Sequence, residues 1–192
     1  MPAEAEDAFE YIKPSQPVHD GVLGLQPEDL INTHIDARED RNYVYSWFPP
    51  SPSASSDNFR YSFRMRFKTV NNLLCPKIMV EIGCETNFLY FNLTNPGCTG
   101  TIDAQFGEHF LDGKTTDLSP FGCKVEEWQQ VGFVVKDKIA TVYINQKPIF
   151  TRPYSESAGI LTGLVFVSNG LLEVDDIDLT SLDGKVIYRD SF

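Results

Sequence analysis

The sequence predicts an all-β chain, a two-sheet antiparallel β-sandwich of the jelly-roll type. Residues 58 to 67 alternate without error, with Phe59, Tyr61, Phe63, Met65 and Phe67 on one side and Arg60, Ser62, Arg64 and Arg66 on the other. That is the period of a strand with one buried and one wet face. Segments rich in β-branched and aromatic residues then recur at short spacing, over 127–136, 139–145, 161–167, 173–179 and 185–189. Turn chemistry separates them: Lys136-Asp137-Lys138 and Asn145-Gln146-Lys147 each link two strands, and Asp183-Gly184 supplies the positive φ of a tight turn. Many strands joined by short turns leave a sandwich or jelly roll as the economical architecture.

In chain order, the segment from Gln26 to Ile31 reads as a short helical turn, opened by Pro27 with Glu28 and Asp29 in its first turn. A strand ends near Phe48, and the Pro- and Ser-rich run Pro49-Pro50-Ser51-Pro52-Ser53-Ala54-Ser55-Ser56 is an exposed loop before the strand at Asn58. A hairpin is expected next, with 78–85 and 88–93 as its arms and Thr86-Asn87 at its tip. This register sets Val80, Ile82 and Cys84 opposite Leu93, Phe91 and Leu89, an apolar set fit for a core. The other face pairs Glu81 with Asn92, Gly83 with Tyr90 and Glu85 with Phe88, where the tyrosine ring would cover the strand glycine. The same register brings Cys75 against Cys98, where a disulfide would bridge the hairpin.

At 192 residues the chain suits one domain spanning 1–192. Sixteen basic against 27 acidic residues give a formal charge of −11, which opposes binding to nucleic acid or to an anionic membrane surface. The longest apolar run, near 159–167, falls well short of the roughly 20 residues of a membrane-spanning helix. The amino terminus has neither the basic start nor the apolar block of a secretory signal. The expectation is the carboxy-terminal part of a longer extracytoplasmic protein of the cell envelope or secreted space, with a cytoplasmic protein as the alternative. Oligomeric state is not legible.

The four cysteines allow three complete pairings, and free thiols in a cytoplasmic protein are the competing reading of all four. Their spacing matches no zinc pattern, and His19, His34 and His109 are scattered, so no metal site is expected. Asp175, Asp176 and Asp178 offer oxygen ligands for calcium, yet they fall on a strand without the looping glycine pattern that wraps an ion. Neither a Gly-rich phosphate loop nor a nucleophile elbow is present, and no cofactor is expected. Asn92-Leu93-Thr94 is a glycosylation sequon, a tripeptide that is common by chance.

Trp128, Val131, Phe133 and Val135, followed by Ala140-Thr141-Val142-Tyr143-Ile144-Asn145, resemble the concanavalin A-like lectin/glucanase fold, including its laminin G-like members. Gln146 stands where those domains carry a turn glycine. The closing Val174-Asp175-Asp176-Ile177-Asp178-Leu179 is similar to the end of such domains, so the resemblance runs from Asn58 to the carboxy terminus. It implies a β-sandwich more firmly than a function. One glycosidase family of that fold has a strand reading Glu-Ile-Asp-x-Glu, with the first Glu as nucleophile and the last as acid/base. Here Glu81-Ile82-Gly83-Cys84-Glu85 matches the outer positions only, and Gly83 removes the central carboxylate that tunes the pair.

The leading expectation is therefore a non-catalytic carbohydrate- or ligand-recognition module with no catalytic residues. Its binding surface would draw on Arg64, Arg66, Glu81, Glu85, Tyr90 and Asn92, with Trp47 as a stacker at the rim. Aromatic rings stack on sugars while acids and amides exchange hydrogen bonds with hydroxyls. The alternatives are a structural or protein-interaction domain of a larger envelope or sensor protein, and a glycoside hydrolase using Glu81 and Glu85. Partners would be a glycan or a protein.

Overall fold

The computed structural model describes residues 18–19, 22–24, 43–47, 54–68, 73–86 and 89–190. The helical turn expected over 26–31 and most of the 49–56 loop lie outside them. Among the described residues fourteen strands follow one another: β1 (Val18–His19), β2 (Val22–Gly24), β3 (Tyr43–Trp47), β4 (Asn58–Lys68), β5 (Lys77–Cys84), β6 (Leu89–Thr94), β7 (Asp103–Phe106), β8 (His109–Asp112), β9 (Gln129–Lys136), β10 (Ile139–Ile144), β11 (Lys147–Pro153), β12 (Leu161–Ser168), β13 (Leu171–Thr180) and β14 (Val186–Asp190). They form two antiparallel sheets. Eight strands run β1-β2-β13-β4-β9-β10-β11, with β14 also on β13, and six run β3-β12-β5-β6-β7-β8. Both sheets are thus built from strands far apart in sequence, the arrangement of a jelly roll.

The alternation of β4 sets its place. Phe59, Tyr61, Phe63, Met65 and Phe67 are buried to the last few per cent, and the arginines between them face outward. The inner row of β9, Val131, Phe133 and Val135, packs beside it, and Ile78, Val80, Ile82, Leu89, Phe91 and Leu93 close the core from the other sheet. Rings meet across the gap, Phe63 with Phe166 at 5.0 Å and Phe133 with Phe91 at 5.8 Å.

The β5–β6 hairpin differs from the expected register by two residues: Glu81 pairs with Tyr90, Met79 with Asn92 and Val80 with Phe91. A shift of two preserves every face, because side chains alternate with period two. The last ladder pair is Ile82 with Leu89, and Gly83 stands not against Tyr90 but against Gly163 of β12. A strand glycine that a tyrosine does cover is Gly132 of β9. A Cβ there would lie 3.3 Å from the Cβ of Tyr143. Cys75 and Cys98 form a disulfide with Cα atoms 5.6 Å apart. Cys98 reaches it from the 3-10 turn Pro96–Thr101 rather than from the strand ladder.

Two hairpins close as two-residue turns with both residues left-handed. Asp137 and Lys138 have φ of 49° and 61°, Asn145 and Gln146 of 51° and 66°, and the flanking pairs are Lys136 with Ile139 and Ile144 with Lys147. These are the values a twisted hairpin asks for, and glycine meets them with least strain. Gln146→Gly is expected to raise stability by about 0.5–1 kcal/mol, the relieved strain exceeding the added unfolded-state entropy; denaturant melts check it. Opening the disulfide by paired Cys→Ser changes, which frees a loop with a sequence separation of 23, is expected to cost about 3 kcal/mol in the same assay.

Candidate functional site

Each sheet has an outer face, and the expected site residues divide between them. Arg64 and Arg66 lie on β4 in the eight-stranded sheet, whereas Glu81, Tyr90 and Asn92 lie on β5 and β6 in the six-stranded sheet. The core separates the two groups.

On the eight-stranded face the arginines are committed to structure. Arg64 is paired with Asp175 and, at 2.8 Å, with Asp176; Arg66 and Lys68 are paired with Glu173. Both guanidinium groups also lie over Trp128, at 5.2 and 4.9 Å from its ring centroid. Glu173 and Asp175 are nearly buried, and a buried carboxylate without a cation would be costly. Burial pushes the Glu173 carboxyl up, but the hydrogen bonds from Arg66 and Lys68 outweigh it and leave the pKa below the ordinary value. Arg189 takes Asp178 at 2.5 Å. The three aspartates considered for calcium are thus occupied by arginine. The arginines' acidic partners sit on β13 beside them and not on β5.

On the six-stranded face the ladder lines up a row. Val165 pairs with Glu81, Glu81 with Tyr90, Tyr90 with Gln105 and Gln105 with Phe110. All share the outward parity. Phe110 is 58% exposed. Gln105 is pinned by donating from Nε2 to the Gly107 carbonyl at 2.9 Å. Burial raises the Tyr90 hydroxyl to a pKa of about 12, with Asp103 and Glu81 adding negative charge beside it. Burial also raises the Glu81 carboxyl.

Two expected members of this face leave it. Asn92 is fully buried, its Nδ2 donating to the Asp103 carbonyl at 2.8 Å and to Asp103 Oδ1 at 2.7 Å. It orients Asp103 and is closed to a ligand, and for the same reason the folded sequon cannot accept a glycan. Glu85 lies past the end of β5, where its Oε2 accepts the Ile160 amide at 3.1 Å and crowds the left-handed Gly159, φ 84°. Trp47 ends the edge strand β3, paired with Leu164; its side chain lies outside the described residues. Phe110, Gln105 and Asp103 were missed because β7 and β8 are four-residue strands in a stretch of mixed polarity. The available signal was Phe106-Gly107-Glu108-His109, whose Gly107 is left-handed at φ 59°.

No helix among the described residues is long and apolar enough to cross a membrane. A pocket of ≈ 330 Å³ opens on the eight-stranded face beside Arg60 and Tyr143.

No protein-family model matches the chain, and no curated protein matches it in sequence. Solved structures do match in fold. A carbohydrate-binding module of Bacillus subtilis is 11% identical with a TM-score of 0.51, the match covering 75% of this chain and 84% of that one. A glycosyl hydrolase candidate of Parabacteroides distasonis is 13% identical with a TM-score of 0.50, covering 90% and 93%. At these identities the likeness concerns fold alone. The chain has the concanavalin A-like jelly-roll fold.

The raised Glu81 carboxyl carries a pH signature. A carboxyl whose folded pKa lies above its unfolded value stabilises most when protonated, and that contribution is lost as pH rises through the folded pKa. Glu81→Gln is therefore expected to melt higher than the wild type at neutral pH. The gain should shrink on acidification toward the ordinary carboxylate range, as thermal melts at several pH values will show.

Proposed function

We propose that the chain is a non-catalytic carbohydrate-recognition module whose ligand lies along the outer face of the six-stranded sheet. The observation that carries this reading is the cross-strand row Glu81, Tyr90, Gln105 and Phe110, which ends in a ring 58% exposed. Tyr90 and Phe110 flank β7, two strand spacings or roughly 10 Å apart, a span suited to adjoining sugar units. An exposed ring offers its face to the apolar side of a pyranose. Between the rings the Gln105 amide oxygen accepts from hydroxyls, as do the Glu81 carboxylate on the far side of Tyr90 and the Asp103 carboxylate in the next row. Charge supports a neutral ligand, since this row holds a carboxylate and no cation.

The non-catalytic part of the reading is supported by Glu85, whose carboxylate is engaged by the Ile160 amide and so is not free beside Glu81. The Cys75–Cys98 disulfide supports an oxidising, extracytoplasmic setting.

The test is a glycan array probed with the whole chain, followed by calorimetry on a hit. Binding is expected, with Phe110→Ala weakening it at least tenfold, about 1.4 kcal/mol. Silence across the array, or undiminished binding in a Tyr90→Ala, Phe110→Ala double variant, would remove the reading.

A further inference from the structure

We propose that the outer face of the eight-stranded sheet carries a second ligand site, for a carboxylate borne on a small hydroxylated ring. It lies across the core from the glycan surface proposed above and does not depend on it. Its centre is a depression of ≈ 330 Å³ among Arg60, Ser62, Gln130, Gly132, Tyr143 and Gln146. That is the low end of the range for small-molecule sites and suits one ring.

The sequence makes the depression. Ser62 of β4 pairs with Gly132 of β9, and Gly132 pairs with Tyr143 of β10, so a serine and a glycine stand side by side in mid-sheet. Along β9 the neighbours two residues away, Gln130 and Val134, rise as walls. Tyr143 forms the third side, close enough that a Cβ on Gly132 would sit 3.8 Å from two of its ring atoms. Arg60 rises in the row of Val134, and Gln146 lines the rim from the left-handed turn after β10.

Charge selects the ligand. The acids of β13 on this face already have cations: Glu173 has Arg66 and Lys68, Asp175 and Asp176 have Arg64, and Asp178 has Arg189. Arg60 makes no ion pair among the described residues. It is exposed and lines the pocket. A guanidinium with free donors reads a planar carboxylate by two parallel hydrogen bonds. The remaining lining divides into an aromatic face at Tyr143, an apolar wall at Val134, and hydroxyl or amide groups at Ser62, Gln130 and Gln146. That set fits a hydroxylated ring better than an acyl chain or a phosphate.

The experiment titrates the isotopically labelled chain with sodium glucuronate, following backbone amide shifts by NMR, with glucose and sodium acetate as parallel probes. Glucuronate is expected to move the Gly132, Tyr143 and Gln146 amides saturably in the millimolar range, and the other two probes far less. Arg60→Gln, a change at an exposed position, should weaken the response at least tenfold. Gly132→Val should abolish it by filling the depression. Phe110→Ala should leave it unchanged, which separates this site from the one on the other sheet. Absence of saturable shifts at those amides would overturn the proposal. An equal response to acetate, or an Arg60→Gln variant that binds like the wild type, would overturn it as well.

Discussion

Phe133, on the inner face of β9, stands 5.8 Å from Phe91 and 6.3 Å from Phe106 in the facing sheet, and 5.8 Å from Phe59 in its own. Phe106 and Phe121 continue the contact to Phe150 at 5.3 and 5.1 Å. Sheets pack about 10 Å apart, a gap that only interdigitating side chains fill at native density. This run of rings fills it from both sides, and truncating one such residue generally costs about 3–5 kcal/mol. Once the inner rows are committed to that layer, period-two geometry fixes every outer row. The surface chemistry of both sheets is thus a consequence of where the phenylalanines sit.

The two outer faces then differ in kind. The eight-stranded face holds nearly buried carboxylates, and their desolvation is offset by arginines that also stack on Trp128. The six-stranded face presents Glu81, Asp103 and Asp112 on its outer ladder, with Lys77 at one end. Part of the chain's charge of −11 is therefore concentrated on one side, while on the other the acids of β13 are paired with cations and Arg60 makes no ion pair among the described residues. Neutral polyols suit the first face and a single carboxylate suits the depression on the second. The two proposals follow from that division of charge.

What was legible in the sequence was parity. Phe59 to Phe67 announced both faces of β4, and Val80 and Phe91 announced the core side of the hairpin even though the ladder sits two residues from the expected register. Register was not legible, because the loop between β5 and β6 contains no turn pair of fixed length such as Asn-Gly. Sheet membership was hidden too: Arg64 and Glu81 both read as outward polar residues, and nothing local says that the core lies between them. Asn92 shows a further limit, since an outward position in the pleat was buried by Asp103 from the next strand. The edge strand β11 carries little strand pattern of its own in the sequence for a physical reason. β11 begins next to Pro148 and ends on Pro153, residues that an edge tolerates and that keep it from pairing further.

The pairing of Glu81 and Glu85 shows how the sandwich directs a motif away from chemistry. Retaining glycosidases need two carboxyls roughly 5 Å apart, and four residues of strand set Cα atoms roughly 13 Å apart, so both side chains would have to lean toward each other over the intervening position. Here that position is Gly83, opposite Gly163 at a register break between β5 and β12. A Cβ at Gly83 would come within 2.8 Å of the Thr162 hydroxyl and 3.1 Å of the Gly163 amide nitrogen. The space that a third carboxylate would need is filled by β12. Beyond it, the Ile160 amide draws Glu85 to the loop, while Glu81 stays in line with Tyr90. The close approach of two glycine-bearing strands, which lets β12 dock on β5, is the same feature that keeps these acids from acting as a pair.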